Sequence, residues 1–556
     1  MTLLDGKRVL IDLMNREGVE SVFGIPGATE VVFMDALEKA ENIQFVLGLN
    51  ESICAGMAEG YARVTGKPGF LNLHTGPGVA SSLGMICNAH AGGVPLIITA
   101  GQQDTRLLQR DPHLSGNIVE MAKMFTKWST EIVHAEDIPV VMQRAFKIAM
   151  QPPTGPVLVS IPQNVLNQEF DYTYKPNTRV YSRMRPDKAA LESTLDILEQ
   201  AERPAIFCES GVSRSGAQQE LVKLAEKMGA KVYHNWMSDV NFPVDHPLYM
   251  GDFDPTAPGV QQAFSEIDVL IAVGVPLFGQ GFYNADFRFP ETMKIIQIDE
   301  NPWEIGKNVP VECGIQGDIR SCLAELNGLV KERLSSKFHL KAAQRFKQIV
   351  AEKEQQNSVL QDLISKEWDS TPISISRLMA EIKNAIDKKT IIVDDCWSSS
   401  EMLRKILDLN QQNQFFRSRK GGSIGWGIPG AIGVQFGAPE KKVVAVSGDG
   451  SAAWSMQGLW TAAHYNLPIT FIITNNATYR QVKLVRKRVL GDYPLDEKHA
   501  GMELDQPVID FTALSKSMGV AAIKVSDPDQ IRPALLKALA SDKPCLVEVM
   551  VENKVT

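Results

Sequence analysis

The chain lacks the features that mark several classes of protein. Its seven cysteines (Cys54, Cys87, Cys208, Cys313, Cys322, Cys396 and Cys545) are scattered and form no CxxC pair, which speaks against a disulfide framework and a zinc site. No unbroken apolar run reaches the ~18 residues that cross a bilayer. The opening MTLLDGKRVLIDLMNREGV reads as a charged amphipathic helix rather than a signal peptide. Aromatic residues make up 7% and low-complexity tracts are missing, while hydrophobic residues reach 44% and charged ones 22%, a composition of ordinary globular proteins. A net charge of -8, spread along the chain, argues against a nucleic-acid or anionic membrane surface as the main partner. A soluble, cytoplasmic protein is expected.

With 556 residues the chain exceeds a single core and implies three domains. Short apolar runs that read as strands (VESVFGIP, IQFVLGL, GFLNLH, VPLIITAG, PVLVSIP) alternate with helical patterns through the first 165 or so residues. This alternation marks a parallel sheet with helices on both faces. The polar stretch QEFDYTYKPNTRVYSRMRPDK reads as a linker. A second block carries PAIFCES, AKVYH, DVLIAVG and KIIQID. After the charged helical connector SSKFHLKAAQRFKQIVAEKEQQNSVLQDLISKEW, a third carries TIIVDD, QFFRS, KVVAVSG, ITFIITN and CLVEVM. The expected fold class is α/β, with three successive doubly wound parallel-sheet domains at residues 1–180, 188–335 and 370–556.

Residues 447 to 479, SGDGSAAWSMQGLWTAAHYNLPITFIITNNATY, concentrate the chemistry. Reading KKVVAVSGDG as a strand, SMQGLWTAAHYN as a helix and LPITFIITNN as the next strand gives one βαβ unit. Asp449 and Asn476 then lie just past the carboxyl ends of two parallel strands, where open α/β sheets bind ligands. Neighbouring strands lie about 4.8 Å apart, close enough for the two side-chain oxygens to share an ion. A carboxylate and an amide oxygen are hard ligands suited to Mg²⁺, which takes substrate phosphates readily. Gly448 and Gly450 let backbone N–H groups approach a phosphate at the start of the helix.

GDG followed by NN at this spacing resembles the cofactor motif of the thiamine diphosphate-dependent decarboxylases and carboligases. The resemblance extends over the whole chain, as pyrimidine-binding, middle and diphosphate-binding domains in that order. It implies that Asp449, Asn476 and the backbone carbonyl of Thr478 hold the metal, with Gly448, Gly450 and Ser451 beside the diphosphate. It implies further that Glu51, in LGLNESICAGMAEGYARVTG, hydrogen-bonds the pyrimidine nitrogen and helps to remove the C2 proton. In KGGSIGWGIPG, the backbone of Gly422 would accept from the pyrimidine amino group and Ile424 would hold the cofactor bent. In this family the two cofactor-binding domains come from different subunits, so a homodimer is the minimum active unit and a homotetramer is expected.

LGLNESICAGMAEGYA, GFLNLHTGPG, ITAGQQ and LWTAAHYNLP resemble the benzoylformate decarboxylase branch. That branch implies a 2-oxo acid decarboxylase with carboligase ability, with small 2-oxo acids and aldehydes as partners. An acetolactate synthase-like carboligase is the alternative, and an acyl-CoA lyase or decarboxylase a weaker one. His74, ending GFLNLH, matches a proton-relaying histidine, and an imidazole suits that work near neutral pH. Two positions depart from the branch: Ala28, with Thr29 beside it, stands where a substrate-binding serine is expected, and Gly281 and Phe282 fall where a second active-site histidine is expected. His90 reads as structural and His113 as a loop residue. Arg480, Lys483, Arg486, Lys487 and Arg488 read as a solvated basic helix face. In the middle domain the glycines do not form GxGxxG, and no arginine-rich flavin-contacting stretch follows DVLIAVG, so neither NAD nor FAD is expected.

Overall fold

Four to seven mostly apolar residues, closed by glycine or polar turns, make each central strand, and amphipathic helices cover the sheets so formed. The computed structural model describes residues 2–177, 180–254, 260–277, 287–418, 420–491 and 497–553. It contains three parallel sheets, each flanked by helices. In the first the strands lie in the order Gln44–Leu47, Ser21–Gly24, Gly69–Leu73, Leu96–Gln102, Val157–Pro162 and Trp128–Glu131. In the second the order is Tyr249–Phe253, Lys231–Asn235, Pro204–Cys208, Val269–Val273, Lys294–Asp299 and Cys313–Gln316. The third is built on Ile391–Asp395, Val443–Gly448, Ile469–Asn475, Cys545–Met550 and Ala521–Val525, again all parallel.

The described residues gather into two compact units, one of Met1–Val180, Lys389–Ser398 and Ser418–Thr556, the other of Tyr181–Lys388 and Ser399–Arg417. The first and third sheets therefore share a unit although the second separates them in sequence. Within that unit the helix Glu51–Thr65 crosses the helix Gly427–Gly437 at very short range: a Cβ on Gly60 would overlap the Gly430 carbonyl. Beside it a Cβ on Gly56 would lie 2.9 Å from the Pro429 ring, so the opening turns of the two helices pack together.

Several elements differ from the sequence expectation. Thr2–Asp5, expected as helix, is a strand pairing antiparallel with Glu169–Tyr172 of the expected linker. The helix begins only at Gly6, where Asp5 accepts a bond from the Arg8 N–H at 3.0 Å. Trp128–Glu131, Tyr249–Phe253, Cys313–Gln316 and Ala521–Val525 are edge strands with half-exposed residues and no continuous apolar run to announce them. Within SMQGLWTAAHYN the helix is Gly458–His464, and a second short helix, Asp449–Ser455, precedes it where GDG is expected to close a strand. The charged connector is one long helix, Ser336–Lys366.

Candidate active site

Gly448 and Thr474 are opposite one another in neighbouring parallel strands, so Asp449 and Asn476 leave the sheet side by side. Asp449 is buried, and its two oxygens accept N–H bonds from Gly450 at 2.8 Å and from Asn476 at 3.1 Å. Burial pushes its carboxyl up to about 6, with the backbone N–H groups of Gly450, Ala477, Asn476 and Thr478 opposing that shift. A bound cation would lower it further still. Asn476 Oδ1 accepts from the Thr478 N–H at 3.1 Å, and the Thr478 carbonyl accepts from the Arg480 N–H at 2.9 Å. Each of these oxygens retains a second lone pair.

This donor set would suit Mg²⁺. One carboxylate, one amide and one main-chain carbonyl are hard oxygen ligands that leave positions open for phosphate oxygens, as Mg²⁺ prefers. Among the described residues no group of three His, Cys, Asp or Glu side chains could hold an ion. A metal here would depend on those neutral oxygens and on a ligand's own phosphates.

The loop is anchored from behind. Leu504 N–H donates to the Ala477 carbonyl at 2.8 Å, Tyr479 N–H to Met502 at 2.7 Å, and Thr478 bridges Glu503. Lys483, only 2% exposed, forms an ion pair with Glu503 at 2.7 Å. The expectation of a solvated basic face thus fails for Arg480 and Lys483, which are buried on the inner side of the helix Arg480–Leu490. The charge run carried no sign of this because Lys483's acidic partner comes 20 residues later.

Glu51 opens the helix Glu51–Thr65 behind Asn50, whose side chain caps the Ser52 N–H at 2.9 Å. It faces Gly78, where a Cβ would lie 3.5 Å from Glu51 Cγ and Oε1. Gly78 is one helical turn beyond His74, about 5–6 Å of rise. Glu51 and His74 are therefore neighbours at one end of the helix Thr75–Ala91. Among the described residues Glu51 makes no hydrogen bond to the Asp449 or Asn476 loops.

His74 is held by a residue the sequence did not single out. Glu30, 2% exposed, accepts a bond from His74 Nδ1 at 2.7 Å on one oxygen and from the Thr29 hydroxyl at 2.8 Å on the other. A neutral ring that donates its Nδ1 proton to Glu30 would carry its lone pair on Nε2. The only sequence signal is an acid following the glycine turn of FGIPGATE, and its partner lies 44 residues away. His90 lies in the last turn of the helix Thr75–Ala91. His113 lies on a loop, its carbonyl accepting from Gln103 Nε2 at 2.8 Å.

Gly422 has a left-handed φ of +82° in the segment that enters the helix Gly427–Gly437. Asp395, also missed in sequence, accepts from the Gly427 N–H at 3.0 Å and from Trp397 Nε1 at 3.0 Å. Thr75 (φ +46°), Trp397 (φ +44°) and Ala477 (φ +56°) each lie two residues beyond the end of a strand in a conformation non-glycine residues rarely adopt. Such strain concentrates at functional loops.

In the middle sheet a Cβ on Gly211 would lie 2.6 Å from Gly274 Cα, so the turns that follow two neighbouring strands pack backbone to backbone. Gly281 and Phe282, the place of the absent second histidine, lie outside the described residues.

The chain matches the three domains of the thiamine pyrophosphate enzymes: the N-terminal TPP binding domain at residues 4–124, the central domain at 191–326 and the C-terminal TPP binding domain at 398–549. It is 30% identical to a protein of Methanocaldococcus jannaschii named "Probable acetolactate synthase large subunit", over 99% of this chain and 92% of that one. It is 28% identical to benzoylformate decarboxylase of Pseudomonas aeruginosa over 97% of both chains. Among solved structures it superposes on the thiamine diphosphate-dependent 4-hydroxybenzoylformate decarboxylase of Rhodococcus jostii with a TM-score of 0.85, at 26% identity over 99% of each chain. The chain belongs to the thiamine pyrophosphate enzyme family and is a thiamine diphosphate-dependent enzyme of the carboxy-lyase and carboligase kind.

Proposed function

We propose that the protein is a thiamine diphosphate- and Mg²⁺-dependent 2-oxo acid decarboxylase of the benzoylformate decarboxylase type, which releases CO₂ and an aldehyde and also joins the acyl unit to an aldehyde acceptor. The observation that supports this reading is the Glu30–His74 pair at 2.7 Å. An enzyme that releases an aldehyde must deliver a proton to the carbon that lost CO₂, whereas a synthase must withhold it. An imidazole oriented by a buried carboxylate, one turn from the Gly78 that Glu51 faces, suits delivery.

When bound, thiamine diphosphate supplies a nucleophilic carbon and accommodates the electron pair left by CO₂. Asp449, Asn476 and the Thr478 carbonyl would hold Mg²⁺, with Gly448, Gly450 and Ser451 at the diphosphate. The Gly422 backbone and Ile424 would meet the pyrimidine, and Glu51 would hold a proton at its ring nitrogen. His74 Nε2 transfers a proton near the substrate, while Glu30 keeps the imidazole oriented. Ala28 offers the substrate carboxylate no hydroxyl, and the Thr29 hydroxyl is already bonded to Glu30, so substrate binding differs from the benzoylformate decarboxylase pattern.

The domain limits are 1–180, 188–335 and 370–556. The pyrimidine-binding domain of one protomer serves the diphosphate-binding domain of another, which makes a homodimer the minimum active unit and a homotetramer the assembled form. Among the described residues no helix is long and apolar enough to cross a membrane, consistent with a cytoplasmic enzyme. The resemblance to acetolactate synthases over nearly the whole chain favours a second reading, condensation of two 2-oxo acids. An acyl-CoA lyase or decarboxylase stays the weaker alternative: in the basic run Arg480 and Lys483 are buried, while Lys487 and Arg488 are exposed. Mass-spectrometric product analysis after separate incubations with benzoylformate and pyruvate, each with thiamine diphosphate and Mg²⁺, decides between the readings. Benzaldehyde is the expected product; acetolactate from pyruvate, with benzoylformate untouched, would move the protein to the synthase branch.

A further inference from the structure

The helix Thr75–Ala91 carries, near its far end, a buried amide that takes no part in the chemistry described above. Asn88 is fully buried, and its side chain bonds both main-chain groups of a single residue: Oδ1 accepts from the Ser423 N–H at 3.0 Å, and Nδ2 donates to the Ser423 carbonyl at 2.9 Å. Nδ2 also lies 3.5 Å from the Ser418 hydroxyl. The approach is close enough that a Cβ on Gly421 would lie 2.5 Å from the backbone nitrogen and Cα of Asn88.

A peptide unit is planar and trans. The Ser423 N–H shares its plane with the Gly422 carbonyl, so fixing the one aims the other in the opposite direction, away from Asn88. The Ser423 carbonyl shares its plane with the Ile424 N–H, so the second bond fixes the next plane as well. One amide thus sets the orientation of both peptide units around Ser423, next to the left-handed Gly422 and beside the Gly421 carbonyl, which lies 3.8 Å from Cys87 Sγ.

We propose that Asn88 is a positioning residue for cofactor activation: it aims the Gly422 carbonyl at the pyrimidine amino group and holds Ile424 against the cofactor. This rests on the thiamine diphosphate reading above. Asn88 lies about 20 Å along the helix from its His74 end, so its effect is separate from proton transfer by His74.

The test is exchange of the C2 proton of bound thiamine diphosphate for deuterium, read by proton NMR after acid quench, beside the cofactor's dissociation constant and the melting temperature. In Asn88→Ala, exchange should slow about 10- to 100-fold, the cost of a misplaced activating group. Cofactor affinity, set at the Asp449 end, should stay within about twofold. Gly421→Ala, which pushes the segment off an intact Asn88, should show the same split and carries the test should Asn88→Ala not fold. Wild-type exchange in a cofactor-loaded variant overturns the proposal. So does a parallel fall in exchange, affinity and melting temperature, the mark of a general structural role. A wild-type protein that binds no thiamine diphosphate would instead overturn the reading beneath it.

Discussion

At the carboxyl edge of the third sheet, Asp449 and Asn476 are held by backbone N–H groups and keep lone pairs for a ligand, beside a loop with the left-handed Ala477. In one cluster of the middle sheet, the polar groups bind one another instead. Arg404 donates to Asp252 at 2.7 Å and to the Ser238 carbonyl at 2.8 Å, and lies 3.3 Å from His234 Nδ1, while Tyr249 donates to Asp252 at 2.9 Å. The left-handed residue that follows its strand Val269–Val273 is Gly274, which pays no strain. Buried polarity alone therefore does not mark a site. What separates the Asp449 loop from the Arg404 cluster is whether the side chains satisfy each other or only the backbone behind them; Asp299, which ends a middle-sheet strand and accepts the Asn301 N–H at 2.8 Å, resembles Asp449 in this.

Substitutions in the two regions should separate activity from stability. The largest effect is expected at the cofactor-activating acid: Glu51→Gln should lower turnover by about 10²–10⁴-fold with little change in melting temperature, and unchanged turnover would remove Glu51 from its role. Arg404→Met should do the opposite. It strips the half-buried Asp252 of its guanidinium partner and leaves the Tyr249 hydroxyl on it, so denaturant unfolding should show a loss of about 1–3 kcal/mol, with thiamine diphosphate affinity preserved. A large loss of affinity in that variant would erase the contrast between the regions.

Glu30→Gln should lower kcat/KM about 10- to 100-fold and shift the product ratio from aldehyde toward carboligation, since a misoriented His74 delivers its proton late. An unchanged ratio would detach Glu30 from proton delivery. The smallest effect concerns pH. Burial, then the nearby Arg404 charge, hold the His234 imidazole well below its ordinary range, with Asp252 and Tyr249 packed beside it. Below about pH 6.5 the unfolded chain binds a proton that the native imidazole refuses, so stability falls on acidification by up to about 1.4 kcal/mol per pH unit. His234→Phe should flatten that slope in chemical denaturation between pH 6.5 and 5.5, a range set by the ordinary histidine value; an unaltered slope would assign the acid sensitivity to another group.

The parts legible in the sequence are those with short-range signals. The GDG and NN motifs stand at the two ends of one βαβ unit, and Asn50 followed by Glu51 announces a capped helix start. The central strands are visible because they are buried on both faces and read as apolar runs. Edge strands such as Trp128–Glu131 are not, because half-exposed residues lose that pattern. Glu30, Lys483 and Asn88 were illegible for another reason: each acts through a partner brought close only by the fold, His74, Glu503 and Ser423 respectively. Spacing along the chain carries no trace of such pairs.

The central claim is that the Asp449–Asn476 edge holds thiamine diphosphate through a metal. Equilibrium titration of the purified protein with thiamine diphosphate, with and without Mg²⁺, tests it most directly when repeated on Asp449→Ala. Binding should require Mg²⁺ and weaken by about 100-fold or more in the variant, as loss of a buried charged partner costs. Equal affinity in the two proteins, or binding indifferent to Mg²⁺, would contradict the account.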